Sequence, residues 1–248
     1  MVVEYPLYGE SCTLAITLYS KSSSDFTLFV GDVEDEGVSF TDRSGKVKGG
    51  ESTYYVRMPI CPDVAYIELE SNADSVDIVD IEVLELPTDY SNPLFKRADV
   101  NSFIDFAEEF SYTASHLETN AEYKSDDDMF TISYLPRIIN SEGNVEETPA
   151  RISQQSGLIE VSKADFLRYT IPMRLAILLH EFAHYYLNVN MEDEVEADKN
   201  SLILYMGLGY PRIDAYNVYL DVFESTPTPL NKERYSALQK MFQKNYIA

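Results

Sequence analysis

The chain has 248 residues, enough for one large or two small domains that each bury a core. Its residues are 45% hydrophobic, yet no uninterrupted apolar run approaches the roughly 20 residues that a membrane span needs, so a membrane protein is not expected. A formal charge of −23 argues against nucleic acid or anionic lipid as partners, since both demand clustered Lys and Arg.

The N-terminal MVVEYPLYGESC has no basic leader and no long apolar stretch, which predicts a cytoplasmic protein. Up to about residue 88 the apolar residues recur with period two, in TLAITLY (13–19), DFTLFV (25–30), TYYVRM (53–58) and VAYIELE (64–70). Leu14, Ile16 and Leu18 share one strand face, as do Phe26, Leu28 and Val30, and turn signals at YSKSSS, SGKVKGG and SNADS separate the segments. Residues 1–88 are therefore expected to form a small antiparallel β-sandwich whose last strand is VDIVDIEVLEL (76–86). Cys12 and Cys61, the only cysteines, both fall in expected strands and read as small buried hydrophobes, too few for a thiolate zinc site. The proline-bounded PTDYSNP (87–93) reads as a linker, assigned to residues 89–94.

Beyond the linker the period becomes helical. Val100, Phe103, Ile104, Ala107, Phe110, Ala114 and Leu117 recur at three and four behind an N-cap candidate, Asp99. MFTISYLPRII (129–139), ARIS (150–153) and GLIEVS (157–162) read as strands, the last two pairing across QQS. A helix is predicted from about Thr170, with Pro172 in its first turn, where a missing N–H costs little. Three more follow over 193–206, 211–223 and 229–244, the first of them stopped by GLGYP. The expected class is α+β, a β-sandwich and then a domain over 95–248 in which a small mixed sheet packs on helices.

His180 and His184 lie one turn apart on the helix that begins near Thr170, so they point the same way and can grip one small ion. Zinc hydrolysis requires two neutral imidazoles, a further ligand, an open position for water and a carboxylate to take the water's proton. HEFAH (180–184) supplies the imidazoles and, in Glu181, the carboxylate. Leu175, Leu178, Leu179 and Phe182, on the opposite side of the helix, would bury and hold the ligand face fixed. EVEAD (194–198) then offers Glu194 and Asp198 on one face of the next helix, one to bind and the other to support. Asp198 is placed to accept a hydrogen bond from a ligating histidine's other ring nitrogen, whereas Glu196 should point elsewhere. His116 and Tyr210 are candidate additional donors, with His116 read as structural, and neither is assigned to the site.

HEFAH followed by EVEAD resembles the signature of zincin metallopeptidases of the gluzincin type, nearest to compact intracellular ImmA/IrrE-like peptidases and more weakly to membrane proteases that carry ExxAD. The likeness covers about residues 95–210, and residues 1–88 resemble no family that comes to notice. The resemblance implies one Zn2+ per chain held by His180, His184 and Glu194, with Glu181 as general base and Asp198 behind a ligand. It also implies that ARIS is an edge strand able to pair with an extended peptide substrate. The interval between His184 and Glu194 departs from the family pattern by being short. The expected activity is zinc-dependent endopeptidase cleavage of a peptide or protein, with the β-sandwich recruiting substrate or a protein partner. The alternative is a component of a larger assembly, such as a phage particle, that keeps a peptidase-like domain for its shape, with or without zinc and with or without turnover; the protein would then be located in the virion.

Overall fold

Alternating apolar residues become paired strands in a computed structural model of the chain. It describes all residues except 9–10, 73–75, 86–90, 226–227 and 245–248, and omits the side chains of 222–225 and 242–244. The architecture is α+β, in two compact units. One comprises Met1–Thr88, Thr170–Pro172 and Gly209–Pro211, the other Asp89–Tyr169, Met173–Leu208 and Arg212–Ala248. Among the described residues no helix is long and apolar enough to cross a membrane.

In the first unit the strands are β1 (Val2–Pro6), β2 (Cys12–Ser20), β3 (Ser24–Asp32), β4 (Ser39–Val47), β5 (Gly50–Met58), β6 (Val64–Ser71) and β7 (Val76–Leu84). They form a four-stranded sheet in the order β1-β6-β3-β4 and a three-stranded sheet in the order β5-β2-β7. Every pairing in both is antiparallel. Leu14, Ile16 and Leu18 are fully buried, and so are Phe26, Leu28 and Val30 from the other sheet. Phe26 meets Tyr54 of β5 edge to face with centroids 4.9 Å apart, so the apolar faces of the two sheets share a core.

One expectation for this unit holds only in part and another fails. In SGKVKGG the expected turn is confined to Lys48–Gly49, before β5 begins at Gly50, because Ser44–Val47 belong to β4 and pair with Ser24–Thr27. Gly45 serves there as a strand residue that makes room for Phe26, whose ring would lie 3.0 Å from any Cβ at that position; the chain turns later, at Gly49, where φ is +96°. Cys61 lies after β5 rather than within a strand, and its free thiol faces that of buried Cys12. The expected turn at SNADS and the expected linker over 89–94 fall partly outside the described residues. Pro93–Lys96 is already a 3-10 turn with Asn92 accepting at its start and Phe95 buried.

In the second unit, α1 (Ala98–Thr113) buries Val100, Phe103, Ile104, Ala107 and Phe110 along one face. Asp99 is not the N-cap. Arg97 holds that position and pairs with Asp99, which lies in the first turn where a carboxylate complements the helix dipole. Strands β8 (Ala121–Lys124), β9 (Thr131–Leu135), β12 (Ala150–Ile152) and β13 (Ile159–Ser162) form a sheet ordered β12-β13-β9-β8. Within it β9 and β13 are parallel and the other pairs antiparallel. A two-residue ladder joins β10 (Ile138–Ile139) to β11 (Val145–Glu146), and a short helix α2 (Lys163–Phe166) follows β13.

Helix α3 (Ile171–Tyr186) carries HEFAH, and α4 (Glu194–Gly207), α5 (Arg212–Ser225) and α6 (Pro229–Lys244) complete the chain. Leu175, Leu178, Leu179 and Phe182 are fully buried on α3. Phe182 stacks on Phe103 at 4.2 Å and meets Phe130 edge-on at 5.8 Å, which fixes the rotation of α3 about its axis. Phe103→Ala is therefore expected to cost about 3–5 kcal/mol through the cavity it leaves. Urea unfolding followed by near-ultraviolet circular dichroism measures this, and a loss under about 1 kcal/mol would show that the aromatic layer does not hold the helix.

Candidate metal centre

The reversal from α3 to α4 takes few residues, and local hydrogen bonds explain how. Leu187 and Asn188 both donate backbone N–H groups to the Ala183 carbonyl as α3 ends. The Asp193 side chain caps α4 by accepting from the Glu196 N–H at 2.9 Å. The Glu196 carboxylate in turn accepts from the N–H groups of Val189 and Asn190 at 3.1 and 3.4 Å. Glu196 thus points away from the histidines and folds the loop, which places the Met191 carbonyl 2.7 Å from His184 Nδ1.

A carbonyl can only accept, so His184 Nδ1 carries a proton, and in the neutral ring Nε2 then presents a lone pair. His180 Nδ1 lies 3.1 Å from Asp198 Oδ1 in a close contact whose angle falls short of a hydrogen bond. That contact likewise favours the tautomer with the Nε2 lone pair free. The two Nε2 atoms are 3.1 Å apart, and Glu194 Oε2 lies 3.3 Å from that of His180 and 3.5 Å from that of His184. Three acceptors therefore converge on one point, which requires a cation or a proton among them. Their triangle has the size of one face of a tetrahedron about zinc, whose edges are about 3.3 Å for bonds of roughly 2.0–2.1 Å. His180, His184 and Glu194 thus fit a metal ion by distance and by donor chemistry.

Without a metal, the charge balance falls to protons. Burial opposes a charge on His180, but the carboxylates of Asp198 and Glu194 outweigh it and push the imidazole's pKa up to about 10. Burial would raise Glu194 as well, yet the two histidines hold its carboxyl well below the usual range. For Glu181 burial wins over the neighbouring histidines and raises the carboxyl, which keeps it closer to the neutral range where a general base works best.

Glu181 lines the same cavity, of about 320 Å³, as the three candidate ligands. Opposite them lies β12, at the edge of its sheet. Ser153 N–H donates to the Leu158 carbonyl and Ser162 N–H to the Pro149 carbonyl, so by alternation the backbone groups of Ala150 and Ile152 point away from β13. The Ile152 N–H faces the Glu181 carboxylate.

The structure brings together His180, Glu181, His184, Glu194 and Asp198. His116 and Tyr210 do not line the cavity: His116 is exposed beyond α1 and Tyr210 is buried. Among the lining residues outside the sequence pattern are Tyr219 and Arg234. Tyr219 of α5 is buried, its hydroxyl 2.8 Å from Ser201 Oγ. Arg234 of α6 forks onto Asp198 with two bonds of 2.8 Å and reaches Glu194 Oε2 at 3.1 Å. The helical period places Arg234 on α6 but carries no sign that it faces α4. Comparison of the chain with protein-family models, curated proteins and solved structures finds no match.

Metal-free protein is expected to keep the His180 ring protonated between about pH 6 and 8, where a free histidine of pKa roughly 6.5 loses its charge. Because the folded pKa is raised, His180 stabilises the metal-free fold fully below the unfolded value, and this contribution is lost as pH rises toward about 10. Nitrogen-15 NMR of chelator-treated protein follows the ring directly. A His180 that titrates near 6.5 would show that the carboxylates do not hold it.

Proposed function

We propose that the chain is a zinc-dependent endopeptidase of the gluzincin kind. The observation that carries this reading is the triangle of His180 Nε2, His184 Nε2 and Glu194 Oε2 in one cavity with Glu181, facing an edge strand. Three protein ligands leave a position open, as hydrolytic sites do, whereas structural zinc is usually closed by four. A zinc ion held there supplies a Lewis acid that activates a water and polarises the peptide carbonyl.

The chain's own residues do the rest. Of the outward backbone groups, the Ala150 carbonyl accepts from Thr148 Oγ1 and the Ile152 N–H faces Glu181, so the Ala150 N–H and the Ile152 carbonyl are the groups to which an extended peptide can pair as an added strand, which lays the scissile bond along the cavity. Glu181, held on the rigid face of α3, accepts the proton of the attacking water and delivers it to the departing amine nitrogen. Asp198 keeps His180 in the tautomer that leaves Nε2 unprotonated. The half-closed cavity limits bulk water around the carboxylate, which raises its basicity.

Purified protein is expected to take up close to one zinc per chain, read by elemental analysis after dialysis against the metal; no uptake would remove the centre. Glu181→Gln should retain zinc and lose about 10²–10⁴ in peptide hydrolysis, because the amide keeps the shape but cannot take a proton. Cleavage by the Gln variant at the wild-type rate would overturn the mechanism. Zinc uptake by wild-type protein without hydrolysis across a broad peptide library would favour the assembly-component reading.

A further inference from the structure

We propose that Arg234 is a positioning residue of the metal centre, orienting Glu194 directly and His180 through Asp198. The inference rests on the metal reading above. Arg234 comes from α6, 36 residues beyond Asp198, and is 7% exposed. Its Nε and Nη2 each lie 2.8 Å from one oxygen of Asp198, a fork that fixes the plane of that carboxylate. Asp198 Oδ1, held by Nη2, is the atom 3.1 Å from His180 Nδ1. The remaining Nη1 reaches Glu194 Oε2, the oxygen that faces both histidines. One planar group thereby sets two carboxylates that lie four residues apart on α4.

The charges make this arrangement necessary. Glu181, Glu194 and Asp198 crowd one cavity wall and its backing, where three carboxylates repel one another at low dielectric. Arg234 brings a permanent positive charge against two of them, while a lysine in its place keeps the charge but not the fork. Glu194 is half-exposed and on the first turn of α4, so without the guanidinium its side chain has rotamers that leave the histidines. Positioning and bulk stability are therefore separable by the lysine variant.

The test is chelator competition for zinc with wild type, Arg234→Lys, Arg234→Gln, Asp198→Asn and the Arg234→Lys/Asp198→Asn double variant, each first shown to be folded by circular dichroism. Arg234→Lys and Asp198→Asn are each expected to weaken zinc binding about 10–100-fold, and Arg234→Gln at least as much. The double variant should lose less than the product of the single losses, because both act on His180 along one path. Cobalt(II)-loaded Arg234→Lys should also show a visible d–d band shifted from that of wild type, a ligand-geometry signal that a change in fold stability alone does not move. Since Arg234→Gln strands the buried Asp198 charge and can unfold, Arg234→Lys decides the case. Wild-type affinity and an unshifted cobalt band in a folded Arg234→Lys, or losses that multiply in the double variant, overturn the inference alone. A wild-type chain that binds neither zinc nor cobalt overturns the metal centre and this inference together.

Discussion

Three electron-rich atoms held within 3.5 Å of each other, on two imidazoles and a carboxylate, cannot stay together away from water unless positive charge sits among them. Much of the second unit can be understood as the means of holding that arrangement. The Phe103–Phe182 stack sets the rotation of α3, so that the histidines face one way and the leucines the other. The Met191 carbonyl accepts from the far nitrogen of His184 and the Asp198 carboxylate lies against that of His180, which favours lone pairs on both near nitrogens of the neutral rings. Arg234 then compensates the carboxylates from behind. Each contact is ordinary in strength, and what matters is that all of them act on the same few atoms.

Burial makes this network demanding. Removing one partner of a buried ion pair leaves an uncompensated charge, a loss of about 3–5 kcal/mol, whereas the intact pair contributes little net stability. The Arg234–Asp198 fork is better understood as a constraint on geometry than as a source of stability. It also ties α6 to α4, so the proposed centre depends on a helix more than thirty positions beyond EVEAD in the sequence.

Periodicity carried most of the fold because it reports burial, and burial is what strands and long helices share with their sequence. The apolar faces of β2, β3, α1 and α3 were all legible in this way. Some short elements were not: β8 shows only Ala121 and Tyr123 against two charged residues, β11 and α2 span two and four residues, and β10 was read as one strand with β9, from which Pro136 and Arg137 separate it. Within SGKVKGG, Gly45 and Gly49 look alike in sequence, although the first clears a neighbouring ring inside β4 and only the second makes the turn. At the site, side chains on adjacent helical turns were legible from spacing alone. The Met191 carbonyl carries no side-chain signature, and Arg234 becomes a partner only through tertiary packing.

The same helix that bears the histidines also governs the strand opposite them. The β12–β13 hairpin turns at Gly157, where φ is +72° and a Cβ would come within 2.8 Å of the Tyr186 hydroxyl and 3.2 Å of the Tyr185 ring. Tyr186 stacks on Phe182, so the hairpin tip rests on the aromatic layer that orients α3. Arg151 fastens the strand further by bonding Glu160 on β13 and Glu146 on β11. The distance between the outward backbone of β12 and Glu181 is therefore set by packed rings and a glycine rather than by a free loop. For the proposed chemistry this matters because a general base must meet its proton within hydrogen-bond reach, and a displacement of about 1 Å at such a site can cost roughly 10²-fold in rate.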